Sequence, residues 1–164
     1  MVSRMLDVAV QRAEKAGWEV VRFDLYELAL LPCTGCMACL QSPVCSIRDD
    51  ANAIVEKMGR ADVICFATPV YYYEMSGQMK TLLDRANPLF SADYAFRDIY
   101  LLTASAEAED SASDGPVHGL EGWIACFEQA RLAGVVRGGG ADAPGEMAHL
   151  DAKLAEACEM GRNV

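Results

Sequence analysis

Two short segments of the chain are apolar almost throughout. The first is Ala61–Ala67, in which every residue after Asp62 is apolar, and the second is Ile99–Ala104. A strand without polar alternation is typical of a sheet that is covered on both faces, which is the usual situation of parallel strands. This feature restricts the chain to folds in which helices pack on both sides of a sheet.

Helical periodicity alternates with such strands along the chain. The predicted helices are Ser3–Ala16, Asp49 or Asp50 to Arg60, Glu74–Ala86, Gly119–Arg131 and Glu146–Met160, and the predicted strands are Glu19–Leu25, Ala61–Ala67, Ile99–Ala104 and Gly134–Arg137. Such alternation indicates parallel strands joined by right-handed crossovers. The predicted fold is an α/β, doubly wound parallel sheet in three layers, and the 164 residues fit one domain, 1–164.

Charge excludes two classes of partner. The chain has 14 basic and 24 acidic residues, a net charge of −10. Phosphate backbones and anionic membrane surfaces would repel it, so we predict no nucleic-acid or membrane partner. A small anionic cofactor held by backbone amides is still compatible with this charge.

One uncharged stretch, Leu28–Ile47, reaches the length of about 20 residues that a membrane-spanning helix requires. It contains Pro32, Gly35, Gln41 and Pro43, which do not suit a helix in lipid. No basic segment followed by an apolar core opens the chain, so no secretion signal is predicted. The predicted location is the cytoplasm.

Ligands of doubly wound sheets bind beyond the carboxyl ends of the strands. One loop at such an end, Thr68–Tyr73, contains three consecutive tyrosines. Pro69 restricts the loop, so its backbone amides could point at the heteroatoms of a flat ring while the tyrosines supply a stacking surface. Alternatively, the tyrosines cap the core or lie in a dimer interface, where tyrosine is enriched. The residues alone leave both interpretations open.

Four of the seven cysteines lie within thirteen residues, in the spacing C-x2-C-x2-C-x5-C: Cys33, Cys36, Cys39 and Cys45. The first three match the spacing of bacterial ferredoxins, and Cys45 could supply a fourth ligand to a [4Fe–4S] cluster. Zinc is an alternative, although its sites more often use two separated pairs. Free thiols are the third interpretation. A reducing compartment makes a disulfide framework a poor explanation.

Other side chains carry weaker signals. Cys65, Cys126 and Cys158 fall within strand or helix patterns and are predicted to be small core residues. The acidic segment Glu107–Gly115 is predicted to be a mobile surface loop. No Ser-His-Asp, HExxH or P-loop pattern is present, so we predict no catalytic side chain.

Several motifs together resemble the flavodoxin-like NAD(P)H-dependent FMN reductases. They are Ala67–Tyr73, Ser76–Lys80, Asp84-Arg85, Ile47–Asp50 and Gly138–Glu146. Within that superfamily, Pro32–Cys39 and the later Cys45 resemble the iron–sulfur flavoprotein branch.

The resemblance implies FMN as cofactor, NAD(P)H as electron donor, and a quinone, free flavin or protein as electron acceptor. It implies a homodimer or higher homo-oligomer in which the partner closes the pocket. A cluster on the cysteines would instead make the protein an electron carrier. The residues implied to lie around the flavin are Thr68, Pro69, Val70, Tyr71, Tyr72, Tyr73, Ser76, Thr103, Ala104 and Ser105.

One part of the family pattern is missing from the sequence as given. Family members begin with a strand and a loop that holds the FMN phosphate, whereas Met1–Arg4 already lies at the start of the following helix. In the family's strand order, 2-1-3-4-5, that strand is central, so its absence would leave a gap of about 10 Å between its neighbours. Either the natural beginning has been lost, or Glu19–Leu25 and Ala61–Ala67 rearrange, with pairing across subunits as one route. In both cases we expect weak FMN binding or none, since the phosphate's amides are missing. The alternative function is therefore a truncated flavodoxin-like domain without FMN.

Overall fold

The computed structural model describes residues 2–143 and 145–164. Helices and strands alternate along them. The helices are α1 (Val2–Lys15), α2 (Ala51–Arg60), α3 (Gly77–Arg85), α4 (Asp114–Ile124) and α5 (Asp151–Asn163), and the strands are β1 (Val63–Tyr71), β2 (Glu74–Met75), β3 (Asp98–Ala104) and β4 (Arg131–Gly138). The predicted α/β class is confirmed.

The strands form one sheet in the order β2-β1-β3-β4. β1 and β3 are parallel and in register from Val63 opposite Asp98 to Pro69 opposite Ala104. β4 is parallel to β3, with an irregularity between Ile99 and Tyr100. The short β2 is antiparallel to the end of β1. The three long strands therefore end at the same edge of the sheet, which is where ligands bind in folds of this kind.

Helices cover both faces of the sheet, as the apolar strands require. Successive side chains of β3 point to opposite faces, so Leu101 packs in one core and Leu102 in the other. The core around Leu101 includes Ile54 of α2 and Leu82 of α3, whereas the core around Leu102 includes Met5 of α1. This arrangement gives the three predicted layers.

The predicted strand Glu19–Leu25 is wrong. Residues 18–24 form no strand, and the segment ends in a 3-10 turn, Leu25–Glu27. A strand needs a neighbour about 4.8 Å away, and within the described residues neither this segment nor the facing edge of Val63–Ala67 has one. We call the space between them the slot. Arg22 ties the segment to α1 through a 2.6 Å ion pair with Asp7.

The region after β1 also differs from its prediction. The helix predicted from Glu74 begins only at Gly77, because Glu74 and Met75 pair with the end of β1 as β2. Ser76 is the N-cap of α3, and its hydroxyl accepts a hydrogen bond from the Met79 amide at 3.3 Å.

Tertiary contacts shift two further elements. The predicted mobile loop Glu107–Gly115 contains a 3-10 turn, and Ser113 is buried with its hydroxyl 2.8 Å from that of Thr103. Consequently α4 begins at Asp114 rather than Gly119 and ends at Ile124. The predicted closing helix is divided into a turn, Glu146–His149, and α5.

The prediction that the three remaining cysteines are core residues is wrong. Cys65 and Cys126 are exposed, and Cys158 is half-buried. Cys65 lies on β1, but the slot leaves its surface open. No helix within the described ranges is both long and apolar enough to cross a bilayer.

Candidate functional site

A two-residue turn joins β1 to β2, because Tyr71 pairs with Glu74. Its residues, Tyr72 and Tyr73, both have positive φ, +50° and +63°. Turns of this geometry favour Asn-Gly, since both central residues must occupy the left-handed region. A bulky residue in the left-handed region destabilises the folded state by on the order of 1–3 kcal/mol, and such strained residues cluster at functional sites. We call Tyr72–Tyr73 the tyrosine turn.

Contacts from two sides hold the tyrosine turn in place. At Gly115, near the start of α4, a Cβ would collide with the carbonyl oxygen of Tyr73, so only glycine allows this approach. On the other side, the Ser76 amide donates to the Thr68 hydroxyl at 2.9 Å, and that hydroxyl donates to the Pro69 carbonyl at 2.9 Å. The strained turn is therefore determined by its surroundings.

The tyrosine side chains form an exposed aromatic group at the carboxyl edge of the sheet. Tyr72 is fully exposed, and Tyr71 and Tyr73 are 57% and 61% exposed. Tyr71 also contributes, with Pro69 and Ser76, to the lining of a large cavity. Three aromatic rings are thus available to stack on a ligand.

The β1–β3 register brings together the predicted site residues at the ends of these two strands. Thr68 lies opposite Thr103, and Pro69 lies opposite Ala104. Several of these side chains, however, are buried and engaged. Thr103 contacts Ser113, and the Ser105 hydroxyl donates to the Glu107 carbonyl at 2.9 Å. In this arrangement, the tyrosine side chains face the solvent, whereas the hydroxyl groups are buried. Val70 and Pro69 are half-buried.

The second candidate site is a cavity of about 400 Å³ lined by Cys33, Cys36, Cys39 and Cys45, which we call the cysteine hollow. All four thiols are free. Across the described residues, no three metal-ligating side chains lie close enough together to hold an ion. The cysteines therefore share one cavity without converging on one point.

Polar groups lie beside all four sulfurs of the cysteine hollow. Asn87 Nδ2 donates to Cys39 at 2.9 Å, the Gly35 amide donates to Cys33 at 3.4 Å, and the Ser46 hydroxyl lies 3.4 Å from Cys36. The hydrogen bond with Ser46 and the nearby Ala38 amide lower the pKa of Cys36. The fourth residue, Cys45, lies beside the Arg85 guanidinium. The donors beside Cys36 thus favour its thiolate, the form that binds metal.

A buried ion pair closes the cysteine loop at both ends. The side chain of Arg85, on α3, has no exposed surface, and its Nη1 and Nη2 lie 2.6 and 2.8 Å from the two oxygens of Asp49. The same guanidinium donates to the carbonyls of Leu31, before the cysteines, and Ile47, after them. Burial by itself would raise the pKa of Asp49, but hydrogen bonds from Arg85 and the Leu31 amide hold it below its usual value.

Sequence reasoning included Asp49 and Arg85 among the family motifs and placed Asp49 or Asp50 at the start of a helix, but it did not pair Asp49 with Arg85. The available signal was a pair of opposite charges, one directly after the cysteine loop and one on the helix after the tyrosines. Sequence alone could not show that they meet.

Comparison with known proteins decides the family. The model of the family described as "NADPH-dependent FMN reductase" matches residues 2–138, most of the chain. The chain belongs to this family. Iron–sulfur flavoproteins of Archaeoglobus fulgidus and Methanocaldococcus jannaschii are 37% and 38% identical to it over 86 and 81 residues. These matches cover 52% and 49% of this chain but only 39% and 42% of the relatives.

Solved structures agree with the fold. The azoreductase AzrA superposes on 99% of the chain with a TM-score of 0.74 and 15% identity, and the match covers 92% of AzrA. The NAD(P)H:quinone oxidoreductase of Methanothermobacter marburgensis has a TM-score of 0.68 at 17% identity, covering 99% of this chain and 88% of that one. The flavodoxin-like fold expected from the resemblance is confirmed.

Replacing Asp49 by Asn should destabilise the protein by about 3 kcal/mol, because the substitution leaves the buried guanidinium without its counter-charge. Urea unfolding at pH 7 measures this loss. The pKa of Asp49 is lowered from 3.8 by folding, so its stabilisation is present above about pH 3.8 and disappears as pH falls through the folded-state pKa. The difference between wild type and variant should therefore shrink in acid.

The matched control is Asp84→Asn, which breaks the exposed Lys80–Asp84 pair. Exposed pairs contribute at most about 1 kcal/mol. Equal losses for the two variants would show that the Asp49–Arg85 pair has no special role.

Proposed function

We propose that this chain is an FMN-dependent NAD(P)H oxidoreductase whose flavin ring binds against the tyrosine turn. The observation that carries the proposal is the left-handed backbone of Tyr72 and Tyr73, held by Gly115 and Thr68. Conformational strain that the surroundings maintain is typical of a ligand site. Its place at the carboxyl edge of the sheet, and the family to which the chain belongs, support the same assignment.

The residues of this site bind and orient rather than transfer protons. Tyr71, Tyr72 and Tyr73 offer ring faces, and the backbone of Val70–Tyr73 offers hydrogen-bonding groups for a flat heterocycle. Bound FMN would supply the redox chemistry, taking a hydride from NAD(P)H and passing electrons to an acceptor. The proposed acceptor is a quinone, a free flavin or a protein. A second subunit covering the exposed tyrosines would exclude water, which is why we also propose a homodimer or larger homo-oligomer.

The ring and the phosphate of FMN would contact different parts of the chain. Met5 packs against Gly138, at the end of β4, so α1 begins at the carboxyl edge. Its first amides have no partner within the helix and can attract an anion. Riboflavin, which lacks the phosphate, therefore tests the ring site alone.

The double substitution Tyr72→Asn with Tyr73→Gly separates strain from binding. It supplies the residues that the turn geometry favours, so stability in urea should rise by about 1 kcal/mol or more. Loss of two stacking partners should weaken FMN and riboflavin binding about tenfold, as measured by quenching of flavin fluorescence. Phe90→Asn, at an exposed aromatic residue outside both cavities, is the control and should leave flavin affinity unchanged.

Three results would count against this site. Unchanged flavin affinity in the double variant would show that the flavin does not bind at the turn. Unchanged stability would show that the turn is not strained. If neither flavin binds the unmodified chain, the alternative of a flavodoxin-like domain without FMN is the better description.

We further propose a [4Fe–4S] cluster in the cysteine hollow, with the protein passing single electrons between cluster and flavin. Four sulfurs that line one cavity, each beside a polar group, support this proposal, and cluster binding would bring them together from the separate positions they hold in this structure. Relatives named iron–sulfur flavoproteins support it as well. Hydrogen bonds to the sulfurs are one of the means by which proteins tune cluster potentials.

Anaerobic reconstitution with ferrous iron and sulfide tests the cluster. We expect four irons and four acid-labile sulfides per chain, and a paramagnetic signal after reduction. Cys39→Ser should lose the iron, whereas Cys126→Ser, a substitution outside the hollow, should keep it. Binding of zinc alone, or of no metal, would overturn the assignment.

A further inference from the structure

The guanidinium of Arg85 has one buried donor that is not used. Arginine has five N–H donors, one on Nε and four on the two Nη atoms. The Nη atoms donate to acceptors on Leu31, Ile47, Asp49 and Asn52. Nε is also buried, but it has no hydrogen-bond partner among the described residues. Because a buried donor without a partner loses its hydration and gains no bond in return, an acceptor is expected beside this atom.

The unused donor belongs to a residue that lines the cysteine hollow, and Cys45 lies beside its guanidinium. The sulfurs of Cys33, Cys36 and Cys39 each have another polar group at 2.9–3.4 Å. For the sulfur of Cys45, the guanidinium is the neighbouring donor that the described residues supply. One sulfur and one N–H group at the same cavity are therefore complementary.

Arg85 offers the hollow a hydrogen-bond donor rather than a net charge. Asp49 offsets the charge of the guanidinium through their 2.6 Å ion pair. Asp84, an acidic residue that also lines the hollow, is paired with Lys80. An N–H group of a cation suits an anionic sulfur acceptor, because charge-assisted hydrogen bonds are stronger than neutral ones. The contacts of the two Nη atoms also fix the guanidinium, so the position of the Nε–H is fixed as well.

We propose that Arg85 is a positioning residue for the metal centre, and that its Nε–H donates a hydrogen bond to the Cys45 sulfur when the cluster is bound. The inference rests on the cluster proposed above and assigns a role to one atom of this chain. The bond would orient Cys45 as the fourth ligand. It would also stabilise negative charge on the sulfur, so that the reduction potential of the cluster becomes less negative.

Magnetic resonance of the reduced cluster tests the bond directly. The protein is labelled with ¹⁵N at the Nε of arginine, reconstituted anaerobically with ferrous iron and sulfide, and reduced with dithionite. Electron–nuclear double resonance should show a ¹⁵N coupling, because the bond places Nε next to a ligand sulfur. Arg85→Lys removes the Nε–H but keeps the positive charge, so the coupling should disappear. Arg48→Lys, the same substitution at an exposed arginine outside the hollow, should retain it.

Two further measurements on the same variants report what the bond does. The midpoint potential of the cluster should be more negative in Arg85→Lys than in the wild type. Release of iron to a chelator should be about tenfold faster in this variant. Arg48→Lys should match the wild type in both measurements. A purely structural role of Arg85 would change unfolding in urea but would leave the ¹⁵N coupling absent from the wild type.

The possible results separate this inference from the cluster itself. A cluster that forms but shows no ¹⁵N coupling would overturn the inference and leave the cluster proposal standing. A coupling that survives in Arg85→Lys, or equal potentials in the two variants, would also overturn it. If no cluster assembles on the wild-type chain, the cluster proposal fails and the inference fails with it. If Arg85→Lys does not fold, the spectra of the wild type and Arg48→Lys still decide, since Arg85 is the arginine that lines the hollow.

Discussion

The parallel pairing of β1 with β3 positions both candidate sites. Seven residues in register bring the ends of the two strands to one edge, with Pro69 beside Ala104. From that edge the chain turns back through the tyrosine turn into α3, whose last residue, Arg85, reaches the cysteine loop. A change in register of one residue would reverse the faces of β1 and displace both sites together.

Among the described residues, the clearest departures from local preference belong to the candidate sites rather than to the core. Tyr72 and Tyr73 occupy left-handed backbone, as does Met37 at the cysteine hollow. Arg85 is buried, and its Nε has no hydrogen-bond partner even though the rest of the guanidinium is satisfied. Conflicts between local rules and the fold are expected at functional positions. The cores around Leu101 and Leu102, in contrast, follow the apolar pattern of the sequence.

The features that the sequence predicted best are those that depend on a local pattern of residues. β1 and β3 were predictable because strands covered on both faces are apolar throughout, and the aromatic loop was predicted as a candidate site because it follows such a strand. Glu19–Leu25 has the composition of a strand, but a strand exists only beside a neighbour, which sequence does not show. Likewise, α3 begins late because Met75 pairs with β1. The Asp49–Arg85 contact joins residues 36 apart, so neither residue's own segment reveals it.

The most direct test of the flavin site is nuclear magnetic resonance of protein labelled with ¹⁵N at its six tyrosines. The account predicts that titration with FMN shifts the amides of Tyr71, Tyr72 and Tyr73. Tyr94, which precedes β3 at the opposite edge of the sheet, and Tyr100, in the middle of β3, should stay unchanged. Shifts spread evenly over all tyrosines, or none in the turn at saturating FMN, would contradict it.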